Sequence, residues 1–143
     1  MPNHHHHAKP RVRIKTNDTH DGLVIERKIH DGAIVVSATL TVEIGGESIS
    51  AAIADEIEAA AREINARGGI VGHIKAACAV TSTDMVSVTD GAASIKTAPI
   101  RAARITLAAI VFQIDPEEAE SVIRETMKRL QAIMSQNKLY NFT

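Results

Sequence analysis

Large rings are almost missing from this chain. Its 143 residues include no tryptophan, one tyrosine and two phenylalanines. A core without rings must be filled by the plentiful Ala, Ile and Val, so its layers should be thin and closely packed. Two of the aromatics, Tyr140 and Phe142, stand in the last four residues, where a folded core has little use for them.

Other scarcities exclude whole classes of function. A single cysteine, Cys78, rules out an intramolecular disulfide and a cysteine-based zinc cluster. Charge of neither sign is in excess, with Lys plus Arg at 16 and Asp plus Glu at 17. Nucleic-acid binders usually carry a basic surplus and stacking aromatics, so no nucleic-acid partner is expected. The lone basic cluster, Lys9, Arg11, Arg13 and Lys15, fits a solvated edge strand. No apolar run of about 18 residues is present, so no membrane helix is expected. The first residues lack the apolar core of a secretory signal, and a soluble, cytoplasmic chain is the expectation. The patterns GxGxxG, GxSxG, HExxH and the EF-hand loop do not occur.

What is present is 45% apolar, enough for a sizeable core in one domain. Residues 1–10, "MPNHHHHAKP", read as an arm without regular structure, 11–137 as one α+β domain, and 138–143 as an aromatic tail. Leu23 to Ile29 and Ala33 to Ile44 alternate apolar and polar residues, the period of a half-buried strand. Asp31-Gly32 between them is a two-residue hairpin turn. It pairs His30 with Ala33, Ile29 with Ile34, Ile25 with Ala38 and Leu23 with Leu40. Only Arg27, opposite Val36, interrupts the apolar face.

A helix follows, with Ser48 as its expected N-cap and Ile49, Ile53, Ile57, Ala60 and Ile64 as a stripe along about five turns. Gly68-Gly69 is its stop. In the strand Ile70 to Thr81, simple alternation puts Ile70, Gly72, Ile74, Ala76, Cys78 and Val80 on one face. Val71, His73, Lys75, Ala77 and Ala79 take the other. Met85 to Thr89 and Ser94 to Ala98 form a second hairpin around Asp90-Gly91. Arg104 to Ile114 is apolar on both faces, which places it centrally in the sheet. Asp115 as N-cap and Pro116 at N1 open a last helix with the stripe Ala119, Ile123, Met127, Leu130 and Met134. The expected fold is α+β, an antiparallel sheet with two helices on one face, in the order β-β-α-β-β-β-β-α. The alternative is a hot-dog arrangement, a curved sheet wrapped around the first helix.

The candidate chemistry is carried by histidines. His4, His5, His6 and His7 are either the remnant of an affinity tag or, if native, a flexible set of ligands for a divalent metal such as Zn²⁺ or Ni²⁺. The tripeptide His-Asp-Gly occurs at His20 and at His30. Ten residues of continuous strand would separate the two histidines by about 30 Å, far beyond a shared metal with bonds near 2 Å. They meet a metal together only across subunits. Asp-Gly recurs at Asp90-Gly91 without a histidine, so turn formation accounts for the repeat.

His73 and Lys75 share a strand face and form the candidate catalytic or anion-binding pair, against the plainer reading of a surface histidine beside a solvated lysine. Cys78 among apolar neighbours reads as a structural thiol. Asp115, Glu117 and Glu118 are accounted for by helix capping, and Thr81 to Asp84 by a turn. The outward sheet face carries Val24, Val35, Val71, Ala77 and Ala79, more apolar surface than a solvated face needs. With Leu139, Tyr140 and Phe142 it points to burial against another chain. The expectation is therefore a homo-oligomeric binding or accessory protein, with a further protein partner admitted. The alternative is a small-molecule enzyme with a subunit-interface site, His73 as acid or base and Lys75 holding an anionic group.

Overall fold

Asp31 and Gly32 both adopt positive φ, 49° and 80°, the geometry of a type I′ turn. The turn joins β2 (Leu23–His30) to β3 (Ala33–Ile44) in the expected register, from His30↔Ala33 to Leu23↔Leu40. The computed structural model describes residues 13–18, 22–45, 48–97 and 101–140. Along β3 the residues Ile34, Val36, Ala38 and Leu40 are buried, and those between them are less so.

The remaining elements are β1 (Arg13–Asp18), α1 (Ser50–Ala66), β4 (Ile70–Thr81), β5 (Asp84–Thr89), β6 (Ala92–Thr97), β7 (Arg101–Phe112) and α2 (Pro116–Tyr140). Five strands form an antiparallel sheet in the order β1-β2-β3-β7-β4. The apolar strand β7 is interior, as expected, but only one of its faces is buried and the other is exposed. It lies between β3 and β4, which α1 connects, so the helix bridges two parallel strands across an antiparallel one.

Both helices cover one face. α2 packs on β2 and β3, and α1 packs on β4 and beside α2. The sheet does not wrap α1, so the hot-dog alternative is not the fold. The core is Leu23, Ile25, Val36, Leu40, Ile105 and Val111 from the sheet against Ile53, Ile64, Ile123, Met127 and Leu130 from the helices. Small side chains in β7, Ala103 and Ala109, are fully buried and let the layers approach.

Helix ends follow local chemistry. The Asp115 carboxylate accepts from the amides of Glu117 and Glu118 at 2.8 and 3.4 Å, a full N-cap for α2. α1 ends in a Schellman motif, with Gly69 N–H donating to Ile64 O and Gly68 N–H to Asn65 O. Its start differs from the expectation. Ile49, not Ser48, occupies the N-cap position, and no side-chain bond caps the helix. Ile49 is buried, so apolar anchoring sets the entry of α1 where a hydroxyl cap was expected.

Three further features depart from the expectation. The register of β4 against β7 shifts between Val71 and His73, a bulge at Gly72. The bulge returns Val71 to the core side, while Ile74, Ala76 and Cys78 keep theirs. Val71 therefore does not belong to the outward face. The second hairpin, β5–β6, forms around Asp90-Gly91 as expected, but as a separate two-stranded sheet. β4 pairs with β7 over its whole length as far as Thr81, and β5 and β6 lie beyond that stretch and pair only with each other. Finally, α2 continues through Lys138, Leu139 and Tyr140, part of the segment expected as a tail.

Candidate functional site

The interruption at Arg27 is resolved by its partner. Arg27 points inward with the core residues and is only 8% exposed. Its guanidinium donates to the Glu120 carboxylate of α2 at 3.3 Å, and Arg124 approaches the other oxygen at 3.7 Å. The cluster ties α2 to β2 and is structural. Arg129 does the same between the helices, donating to Glu56 at 2.8 Å.

The outward face of the sheet follows from the pairing. Ser37, Ala108 and Lys75 lie in one row across β3, β7 and β4, and Thr39, Thr106 and Ala77 in the next. Because all of these side chains but Lys75 are short, the face sinks into an open groove of ≈ 350 Å³ lined by Ser37, Thr39, Lys75, Ala77, Thr106 and Ala108. The row of Val35, Ile110 and His73 stands at one end, and Arg104 lies beyond the other.

His73 and Lys75 are both exposed on this face, about 7 Å apart along the strand. Their shared face was legible from parity. The groove takes Lys75, while His73 is outside its lining. Lysine among hydroxyls and methyls can hold a carboxylate or another anion. It has no acid–base partner in the groove.

Of the other histidines, His30 is the one among the described residues. His30 closes β2 and approaches its neighbour Asp31 at 3.2 Å, both exposed. His4, His5, His6, His7 and His20 lie outside the described residues. Among the described residues no group of three or more His, Cys, Asp or Glu is placed to hold a metal ion.

Cys78 lines a smaller cavity of ≈ 300 Å³ with Ile44, Ile49, Val80 and Arg101. Burial raises its thiol pKa, the opposite of what a nucleophile needs. Arg101 is committed to the carbonyl of Gly45 at 3.0 Å.

The feature that sequence reasoning missed is the isolation of β5–β6. Opposed pairs Val86↔Ile95 and Val88↔Ala93 put four apolar residues on one face of the hairpin. Val86, Val88 and Ile95 are 66%, 67% and 73% exposed, and Met85 on the other face 69%. Among the described residues, neither strand makes a substantial contact with any element but the other. The available signal was length: two six-residue strands lie between two twelve-residue ones. No described helix is long and apolar enough to cross a membrane. No protein-family model matches the chain, and no curated protein or solved structure matches it either.

Proposed function

We propose that this is a small homo-oligomeric assembly or accessory protein, which acts by binding and not by catalysis. The observation that carries the reading is the β5–β6 arm. A two-stranded hairpin is marginal in water by itself, and this one offers water an apolar face. Each Val or Ile left exposed forgoes about 1.5–3 kcal/mol of burial. A second chain supplies that burial. The apolar outward residues Val24 and Ile110 support the same reading.

The catalytic alternative calls for His73 and Lys75 to share a deep pocket. The groove is open, and it contains the lysine alone of the two. Recognition through the sheet face, with Lys75 and His73 as polar anchors, agrees better with that geometry.

Sedimentation velocity tests the assembly. The full chain should run as a dimer or larger, and a variant with residues 84–97 replaced by a short Gly-Ser link should run as a monomer. A monomeric full chain at every concentration would end the proposal. The aromatic tail enters as a second contact, so deleting residues 138–143 should lower the mass seen by light scattering. Metal binding rests on His4 to His7, and on His20 and His30 meeting across subunits. Metal analysis of a chain lacking residues 1–10 separates the two: metal retained supports the intersubunit pair, and none above background removes it.

A further inference from the structure

We infer that the arm of one copy seats in the sheet groove of a second copy, each subunit giving one arm and accepting one. This rests on the assembly reading and names the surface that the arm meets. Side-chain size is the first argument. The arm face presents Val86, Val88, Ala93 and Ile95, branched and standing clear of the body. The groove presents Ala77, Thr106 and Ala108, short enough to leave ≈ 350 Å³ open. Knobs of the first kind fill a trough of the second kind.

Charge is the second argument. On the arm, Asp84 has the same parity as Val86 and Val88, and Lys96 falls on the opposite face. The docking face therefore carries an acid and no cation. The groove carries Lys75 and no acid. Seating the arm brings an acidic side chain to a basic groove.

Connectivity is the third. β4 and β7 line the groove, and the arm is the segment of chain between those two strands. Donor and acceptor are thus neighbouring parts of one hairpin. Such a pair can be repeated by a two-fold axis, which closes the assembly after two copies. One hairpin face is small against the roughly 1,200–2,000 Å² of a stable interface. Two exchanged arms with their grooves double the contact, and that favours reciprocal docking over arm-to-arm stacking.

The test is sedimentation velocity over a concentration series, with circular dichroism confirming the fold of each variant. Ala108→Arg fills the groove at an exposed position and should give monomers, as should Val86→Asp with Ile95→Asp on the arm. Lys75→Glu and Asp84→Lys should each weaken association by about tenfold or more. The double variant Lys75→Glu/Asp84→Lys should recover most of it, a rescue that a misfolded single variant could not produce. If the arm variant is monomeric while Ala108→Arg and Lys75→Glu keep the wild-type mass, the assembly reading stands and the groove is not the receptor. If the arm variant also keeps an oligomeric mass, arm docking falls and the assembly rests on other surfaces; a monomeric wild-type chain ends both ideas.

Discussion

Arg27 shows how one residue can violate a pattern and still belong to it. It occupies a core position of β2, opposite Val36, and its charge is paired there because Glu120 reaches it from α2. Removing the acid alone strands a buried guanidinium. Glu120→Ala should therefore cost about 1.5–3 kcal/mol, read as a lower urea midpoint. Replacing both partners, Arg27→Met with Glu120→Leu, should recover most of the loss, because apolar packing substitutes well for a buried pair. Cys78 gives a second residue-scale expectation. Burial holds its thiol protonated above the ordinary range near pH 8.5. Alkylation of the native protein should thus rise at higher pH than that of the unfolded chain. The linked stability has a definite sign. Both states are protonated below the unfolded thiol's pKa, and there the contribution is fully present. It declines as the pH rises through the higher native value. Cys78→Ala should flatten that alkaline fall, measured as melting temperature against pH.

At the scale of elements, the bulge in β4 decides which side chains meet the core. A Cβ on Gly72 would lie 3.0 Å from the Phe112 ring and 3.1 Å from the carbonyl of Ile110. The ring can give way, but the carbonyl belongs to the central strand. Gly72→Val should destabilise by about 1–3 kcal/mol and disturb the outward placement of His73. A lower denaturation midpoint with an unchanged slope is the expected readout. This bulge also marks a limit of legibility. Strict alternation placed Val71 beside His73, and one inserted residue reverses that at no cost in composition. The β2–β3 register was readable because Asp31-Gly32 and the apolar pattern of both strands each demand it. The two helical stripes and the Asp115 cap were readable for the same reason, since each rests on contacts within one element. Pairing between distant strands is another matter. The hairpin Asp84 to Thr97 alternates just as a sheet strand does, and alternation alone does not tell whether the apolar face is covered by its own chain.

For the whole molecule, two faces of one sheet have opposite fates. Helices cover the inner face, and Ile25, Val36 and Val111 are sealed there. The outer face keeps short side chains and an open groove, and the arm stands apart with its valines in water. A chain that were a finished monomer would have a penalty on both counts. The same surface accounts for Lys75, a candidate residue legible from parity, whose position within a groove depends on three strands that are far apart in sequence. Salt should act through that lysine. If Lys75 meets Asp84 of a second copy, raising ionic strength should weaken association, and Lys75→Glu/Asp84→Lys, which keeps one pair of opposite charges, should show a similar dependence. Sedimentation at two salt concentrations measures this.

The arm also bears on kinetics within the native state. Its backbone amides depend on one partner strand, with no helix or neighbouring sheet to shield them. In a lone subunit these amides should open by local fraying and exchange with deuterium quickly, while those of β3 and β7 wait for global unfolding. Mass action changes this when copies associate. Protection in residues 84–97 should climb with protein concentration, and protection in the central strands should stay nearly level. The hairpin would then act as a built-in gauge of how much of the protein is assembled.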